Sequence, residues 1–409
     1  MKSMNRVTFA LFALATTFFG IGITEFIGVG VLPLVADEFN VSTSTAGEIV
    51  SLYALGVAIG GVILTSLTAR IDKKRVVLAS IFLFIIGHLF TGMATSFPML
   101  LAGRIVSASA HGLFFSLASS IAVSLVAPEK AASAIAFIFG GFTVATAFAA
   151  PLGTYISGIF GWRIPFFAIA AIGLIAYGLN RAAIPAQEQA KEKPATLRAQ
   201  LRLVTHPHVL LMLAVTILGY GSTFATFTYL SPILQHITGI SAESVSAVLV
   251  LYGVTIAIGN YVGGRLGNGH PLKSLTGIFL IQGLMFLGFY LAVPYTLPGI
   301  AAIAGMGLLA FMSIPALQSY VMLLAKRHVP EAMDLASALN IASFNGGIFV
   351  GAGLGGLAID NIGLSATPLV AAVMAFLALG LVRVSVWMDK QEVSGEAQKA
   401  GRISYATSD

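Results

Sequence analysis

Apolar runs of about 20 residues or more alternate with short polar gaps along almost the whole chain of 409 residues. An α-helix needs about 20 apolar residues to cross the hydrocarbon core of a bilayer. Bounded by charges, Pro or Gly, twelve such spans run over 7–35, 46–69, 75–95, 97–127, 131–159, 163–182, 207–231, 243–266, 274–293, 297–325, 333–360 and 365–388. Helices satisfy their own backbone hydrogen bonds in lipid, so the pattern predicts an all-α membrane protein of twelve transmembrane helices.

The charges orient those spans. Of the 22 Lys and Arg, all but Arg104, inside span four, and Arg163, after span five, fall on one side when both termini are cytoplasmic. The positive-inside rule then places the N-terminus, the C-terminus and the gap between spans six and seven on the cytoplasmic side of the membrane. Only 9 % of residues are charged and 57 % are hydrophobic, against about a quarter charged in soluble domains, which excludes a soluble enzyme. The net charge of +6 sits in the gaps rather than on one face, so no nucleic-acid partner is implied. Zero cysteines exclude disulfides, thiol nucleophiles and thiolate metal sites. The first apolar run is longer than a signal peptide's and lacks a convincing cleavage site, so it reads as a span.

A repeat organises the chain. Pro33, Ser42, Leu52, Tyr53, Gly60, Leu67 and Lys74 recur as Pro232, Ser241, Leu251, Tyr252, Gly259, Leu266 and Lys273, each 199 positions later. That offset carries span two onto span eight in the same direction, which gives parallel halves with a site expected between them near the midplane. The expected organisation is a six-helix bundle over 1–182, a linker over 183–206, a second six-helix bundle over 207–388 and a tail over 389–409. Within the linker, Leu197, Leu201 and Val204 are at helical spacing, consistent with a surface helix or an ordinary solvated segment.

Two formally charged residues lie well inside spans, Glu25 and Arg104. A charge at mid-bilayer costs about 2.5–3.5 kcal/mol, so such residues face a wet cavity, pair, or neutralise. Burial favours a neutral carboxyl and a nearby Arg the ionised form, so Glu25 is a candidate proton carrier; the alternative is a structural carboxylate tying span one to a neighbour. Gly22 and Gly28 flank it on the same stripe and leave room for water, a ligand or a close helix. Arg104, Ser107 and His111 form one polar stripe along span four, where Arg104 tunes a partner or binds carbonyls and His111 can titrate. His88 reads as a packing residue. No His or acid pair stands at ligand spacing, so no metal is expected, and no Gly-x4-Gly-Lys-[Ser/Thr] pattern occurs, so no nucleotide. The expected cofactor list is empty, with the proton as coupling ion.

Thr24-Glu25-Phe26 with Gly30-Val31-Leu32-Pro33, Arg104 with His111-Gly112, Pro151-Leu152-Gly153 and Gly161-Trp162-Arg163 resemble the major facilitator superfamily, in particular its twelve-helix drug:proton antiporters related to bacterial sugar, purine and arabinose-product efflux proteins. The resemblance implies the major facilitator fold. It also implies that Pro151 and Gly153, in an element similar to the antiporter motif, form a pliable contact between halves, the alternative being close packing. Arg70 and Lys74 belong to its loop between spans two and three, although this chain lacks that loop's usual acid and one Gly. Because the family lines its cavity with spans one, four, seven and ten, Tyr220, Phe224, Phe227, Gln318 and Tyr320 join Glu25 as candidate substrate contacts; ordinary aromatic packing is the other reading. The implied function is proton-coupled efflux of a small apolar or neutral compound by alternating access, from a monomer in the lipid bilayer. An importer of a sugar or nucleobase is the rival on the same fold, and a membrane receptor the rival outside transport. An enzyme is excluded by the shortage of convergent catalytic groups.

Overall fold

The computed structural model describes residues 6–68, 71–127, 131–185, 197–267 and 270–406. Eleven of its helical segments are long and apolar enough to cross a membrane, and a bent pair, Phe137–Thr146 with Phe148–Phe160, makes the twelfth. In the first bundle α1 (Arg6–Phe39), the short α2 (Thr43–Ala46), α3 (Glu48–Thr68), α4 (Lys73–Gly92), α5 (Phe97–Ser124), α6 (Ala131–Phe160) and α7 (Arg163–Ala183) pack together. After α8 (Leu197–Val204) the second bundle holds α9 (Pro207–Phe227), α10 (Leu230–His236), α11 (Ala242–Gly267), α12 (Pro271–Ala292), α13 (Thr296–Ala310), α14 (Ile314–His328), α15 (Met333–Asn361) and α16 (Thr367–Ala406). Large apolar side chains such as Phe82, Leu174, Leu284 and Leu377 point outward and are exposed, as lipid-facing residues are.

Proline shapes three spans. It offers no N–H to the carbonyl four residues back and its ring crowds that carbonyl. The seventh span breaks at Thr228, four before Pro232, and the tenth at Phe311, four before Pro315. The 45° bend of α6 falls at Ala147, four before Pro151. One further departure from the hydropathy reading is found at a polar segment. The last helix runs on to Ala406 rather than ending near 388. In the linker a helix does form over Leu197–Val204; it buries Ala199 and Leu203 in the second bundle and leaves Leu201 exposed.

The bundles meet along two seams, α3 against α15 and α6 against α11. At one end of the molecule, here the Glu38 end, the Trp162 indole donates to Glu38 Oε2 at 2.6 Å. Arg163 pairs with the same carboxylate at 2.6 Å and donates to the Ala94 carbonyl at 2.9 Å. The exceptional basic residue of the loop count is therefore a structural partner of Glu38. The opposite end, marked by Lys73, carries α8 and the close of α14.

The 199-residue correspondence continues into α1 and α9, where Gly20, Gly22 and Thr24 meet Gly219, Gly221 and Thr223. Each threonine bonds the third spanning helix of its own bundle, Thr24 Oγ1 with His88 Nε2 at 3.0 Å and Thr223 Oγ1 with Gln282 Nε2 at 3.1 Å. His88 also bonds the Phe84 carbonyl at 2.7 Å, so both of its ring nitrogens have partners. At the next positions the halves diverge: Glu25 stands opposite Phe224 and Gly28 opposite Phe227 in the repeat.

Candidate functional site

Arg104 is fully buried on α5. Its Nε donates to the Ile49 carbonyl on α3 at 3.1 Å and its Nη1 to the Thr24 carbonyl on α1 at 3.2 Å. The guanidinium lies over the Tyr53 ring, 3.9 Å from its centroid, and the Tyr53 hydroxyl bonds His111 Nδ1 at 3.1 Å. Ser107 Oγ returns to the Arg104 carbonyl at 3.0 Å. The predicted stripe of Arg104, Ser107 and His111 thus exists, and Tyr53, which the sequence reading placed only in the repeat, joins its two ends. A planar fork suits this work, since it satisfies carbonyls on two helices at once while stacking on an aromatic face.

Glu25 lies one residue beyond the Thr24 carbonyl that Arg104 holds, and it is 9 % exposed. Among the described residues its carboxylate takes no hydrogen bond and no ion pair, while Arg104 Nη2 is buried without a hydrogen-bond partner. Of the three uses open to the flanking glycines, the structure takes the close helix. A β-carbon at Gly22 would lie 2.7 Å from Ala145 Cβ on α6, and one at Gly28 would lie 2.9 Å from Val50 Cγ2 on α3.

Beside Glu25, Phe26 reaches across to the second bundle. Its ring centroid is 6.1 Å from Phe224, 5.9 Å from Phe227 and 6.0 Å from Phe311. Tyr220 packs on Phe224 at 5.1 Å and on Phe311 at 5.8 Å, and Phe227 stacks on Tyr252 at 4.7 Å. Tyr220, Phe224 and Phe227 are therefore brought together next to Glu25, with Phe26, Phe311 and Tyr252 added to them. Phe311 comes from the break in the tenth span, and its recruitment had a sequence signal in Pro315.

Gln318 and Tyr320 are not in that cluster. Gln318 donates to Ser337 Oγ at 2.9 Å and accepts from Asn340 at 2.7 Å, and Asn340 in turn accepts from Thr216 at 2.8 Å, one turn along α9 from Tyr220. Tyr320 is buried in a separate apolar cluster with Val209, Leu275 and Val382.

The remaining candidates divide between the bundles. Pro151, with Leu152 and Tyr155, faces Ser246 and Val250 of α11 across a gap at the seam, whereas Gly153 packs inside the first bundle, where a β-carbon would lie 2.8 Å from Ile27 Cγ1. Arg70 lies outside the described residues. Lys74 is half-buried on the first turn of α4. In that loop Asp72 caps α4, accepting from the Arg75 N–H at 3.0 Å, and Lys73 Nζ donates to Ser120 Oγ at 2.6 Å.

At the Glu38 end the seam is sealed by residues that sequence reasoning missed. Tyr229, at the break between α9 and α10, donates to the Ala352 carbonyl on α15 at 2.8 Å, and Ser44 of the first bundle donates to Asp360 of the second.

A sequence profile described as the Major Facilitator Superfamily matches residues 11–336. The chain is 46 % identical to the MFS-type transporter YtbD of Bacillus subtilis, over 96 % of this chain and 99 % of that one. It is 34 % identical to the inner membrane transport protein YdhP of Escherichia coli K12, over 93 % and 96 % respectively. In fold it is similar to a bacterial homolog of the human lysosomal transporter Spinster, solved in an inward-facing, unoccupied conformation, with a TM-score of 0.76 at 15 % identity over 94 % of this chain and 97 % of that one. A buried polar core in one bundle, an aromatic junction to the other, and relatives matched end to end lead to one conclusion: the chain belongs to the major facilitator superfamily and is a multi-pass membrane transporter, not an enzyme.

Proposed function

We propose that the protein exports a small apolar or neutral compound across the bacterial inner membrane in exchange for protons. The bundles over 1–182 and 207–388 would alternate access to a site between them. Glu25 is the coupling group, and Arg104 and His111 fix the helices around it. The observation that carries this reading is the state of Glu25: a buried acid that takes no hydrogen bond or ion pair among the described residues. It can therefore gain and lose a proton without breaking a structural contact. The rings of Tyr220, Phe224 and Phe227 beside it offer an apolar solute dispersion contact with few polar demands. The loop charges put the Lys73 end in the cytoplasm and the Glu38 end outside.

The test is transport in inverted membrane vesicles acidified inside. The wild type should accumulate substrate under that gradient. Glu25→Gln keeps size and polarity but cannot titrate, so it should reach the membrane folded, bind substrate without pH dependence and lose gradient-driven transport. Wild-type accumulation by Glu25→Gln would remove Glu25 from the mechanism, and uptake driven only by the opposite gradient would make the protein an importer.

A further inference from the structure

At the Lys73 end of the second bundle, folding gathers groups from three distant stretches of the chain. His206 and His208 lie on either side of Pro207 at the start of α9, His328 closes α14, and Glu392 sits on the continuation of α16 past its apolar part. His208 Nδ1 is 3.7 Å from Glu392 Oε2, and His328 Nδ1 is 3.8 Å from Glu392 Oε1. One donor atom from each of these three residues lies within 4.8 Å of the other two. Those separations are too long for hydrogen bonds. The two histidine–carboxylate distances run to different oxygens of Glu392 and exceed by about half an ångström the roughly 3.3 Å edge of a tetrahedron whose metal–ligand bonds are about 2.0–2.2 Å, so small side-chain rotations would close the shell around an ion.

The site is built from within. The His208 side chain is nine-tenths buried, and its Nδ1 has no hydrogen-bond partner among the described residues. The His206 ring stacks on His328, with centroids 4.1 Å apart and planes at 28°, which fixes the plane of the His328 imidazole. Arg327 of α14 lies 4.0 Å from Asp389, whereas the two carboxylate oxygens of Glu392 face His208 and His328.

We propose that His208, His328 and Glu392 form a binding site for a divalent transition-metal ion, Zn2+ by the character of the ligands, with water completing the shell. Two imidazoles and a carboxylate are a borderline donor set that suits Zn2+ and its neighbour Co2+ and disfavours Mg2+ and Ca2+. The bound ion would tie the exit of the linker to the end of α14 and to the polar continuation of α16. This site is independent of Glu25 and of the transport reaction. It escapes a search for ligand pairs in the sequence because no two of its three ligands are neighbours there.

The experiment uses the full chain, purified on a tag without histidine, stripped with chelator and equilibrated with Zn2+. Metal content should approach one equivalent per chain, and the thermal midpoint should rise with Zn2+. Co2+ should give visible absorption bands free of thiolate charge transfer, because the chain has no cysteine. His208→Gln and Glu392→Gln should each weaken Zn2+ binding at least tenfold, as expected for the loss of one ligand, while His270→Gln leaves it unchanged. Glu392→Gln alters a partly exposed side chain and carries the test if His208→Gln does not fold. Zn2+ retention by the wild type no greater than that of Glu392→Gln would overturn the site, as would equal loss in His270→Gln.

Discussion

The Tyr229 hydroxyl occupies the space that a β-carbon on Gly47 would need, although the two residues belong to different bundles. On its other side the same hydroxyl is 2.7 Å from the β-carbon position of Gly356. A ring is thus held between two glycines at the Glu38 end, and neither glycine can be enlarged while the contact stands. Gly47→Ala should displace the ring and part the bundles there. With no native cysteine, a Ser51→Cys reporter, buried on α3 near this contact, would then react several-fold faster with an impermeant maleimide added from that side. An unchanged rate would show that the ring contact does not hold the seam.

Arg104 joins three helices by two charge-assisted hydrogen bonds. A Lys ammonium cannot span both carbonyls or stack flat on Tyr53. Arg104→Lys should therefore lose at least one bond to a charged donor, about 1.5–3 kcal/mol, seen as a lower thermal midpoint in detergent. A wild-type midpoint would mean that the fork is dispensable.

Pro151 should have opposite effects on stability and turnover. Pro151→Ala restores an N–H to the Ala147 carbonyl and straightens a helix now bent by 45° at the α6–α11 seam. The variant is expected to unfold at a higher temperature and to transport more slowly. Faster transport by a straightened helix would contradict a role for the bend in moving the seam.

Glu38 and Arg163 are both partly exposed, at 40 % and 35 % of their side-chain surface, so solvent screens their attraction. Glu38→Gln should cost only about 0.2–1 kcal/mol for the ion pair, and the difference from wild type should shrink in high salt. A large, salt-independent loss would instead point to the Trp162 indole bond as the main tie.

Hydropathy alone located the spans, because twenty apolar residues in lipid admit few other structures. The Arg104 stripe was legible for a related reason, since helical spacing fixes which side chains share a face. The breaks at Thr228 and Phe311 were legible only through Pro232 and Pro315, and Pro33 lies inside an unbroken α1, so proline marks where a helix can yield rather than where it must. What stayed hidden depends on contacts between remote segments: Tyr229 against Gly47, Tyr53 between Arg104 and His111, and His208 facing Glu392. No periodicity within one helix specifies which residue of another will meet it.

Glu25 has no acidic counterpart in the second half, since the repeat puts Phe224 there and Phe227 opposite Gly28. The duplicated frame thus offers one ionisable carboxyl at this level where perfect symmetry would have placed two in mutual repulsion. With Glu25 as the proposed carrier, one proton would enter for each uncharged solute that leaves, and every cycle would move a net charge across the bilayer. The exchange would then draw on voltage as well as acidity. A membrane potential of 100 mV, about 2.3 kcal/mol per charge, would drive it as strongly as about 1.7 units of pH difference.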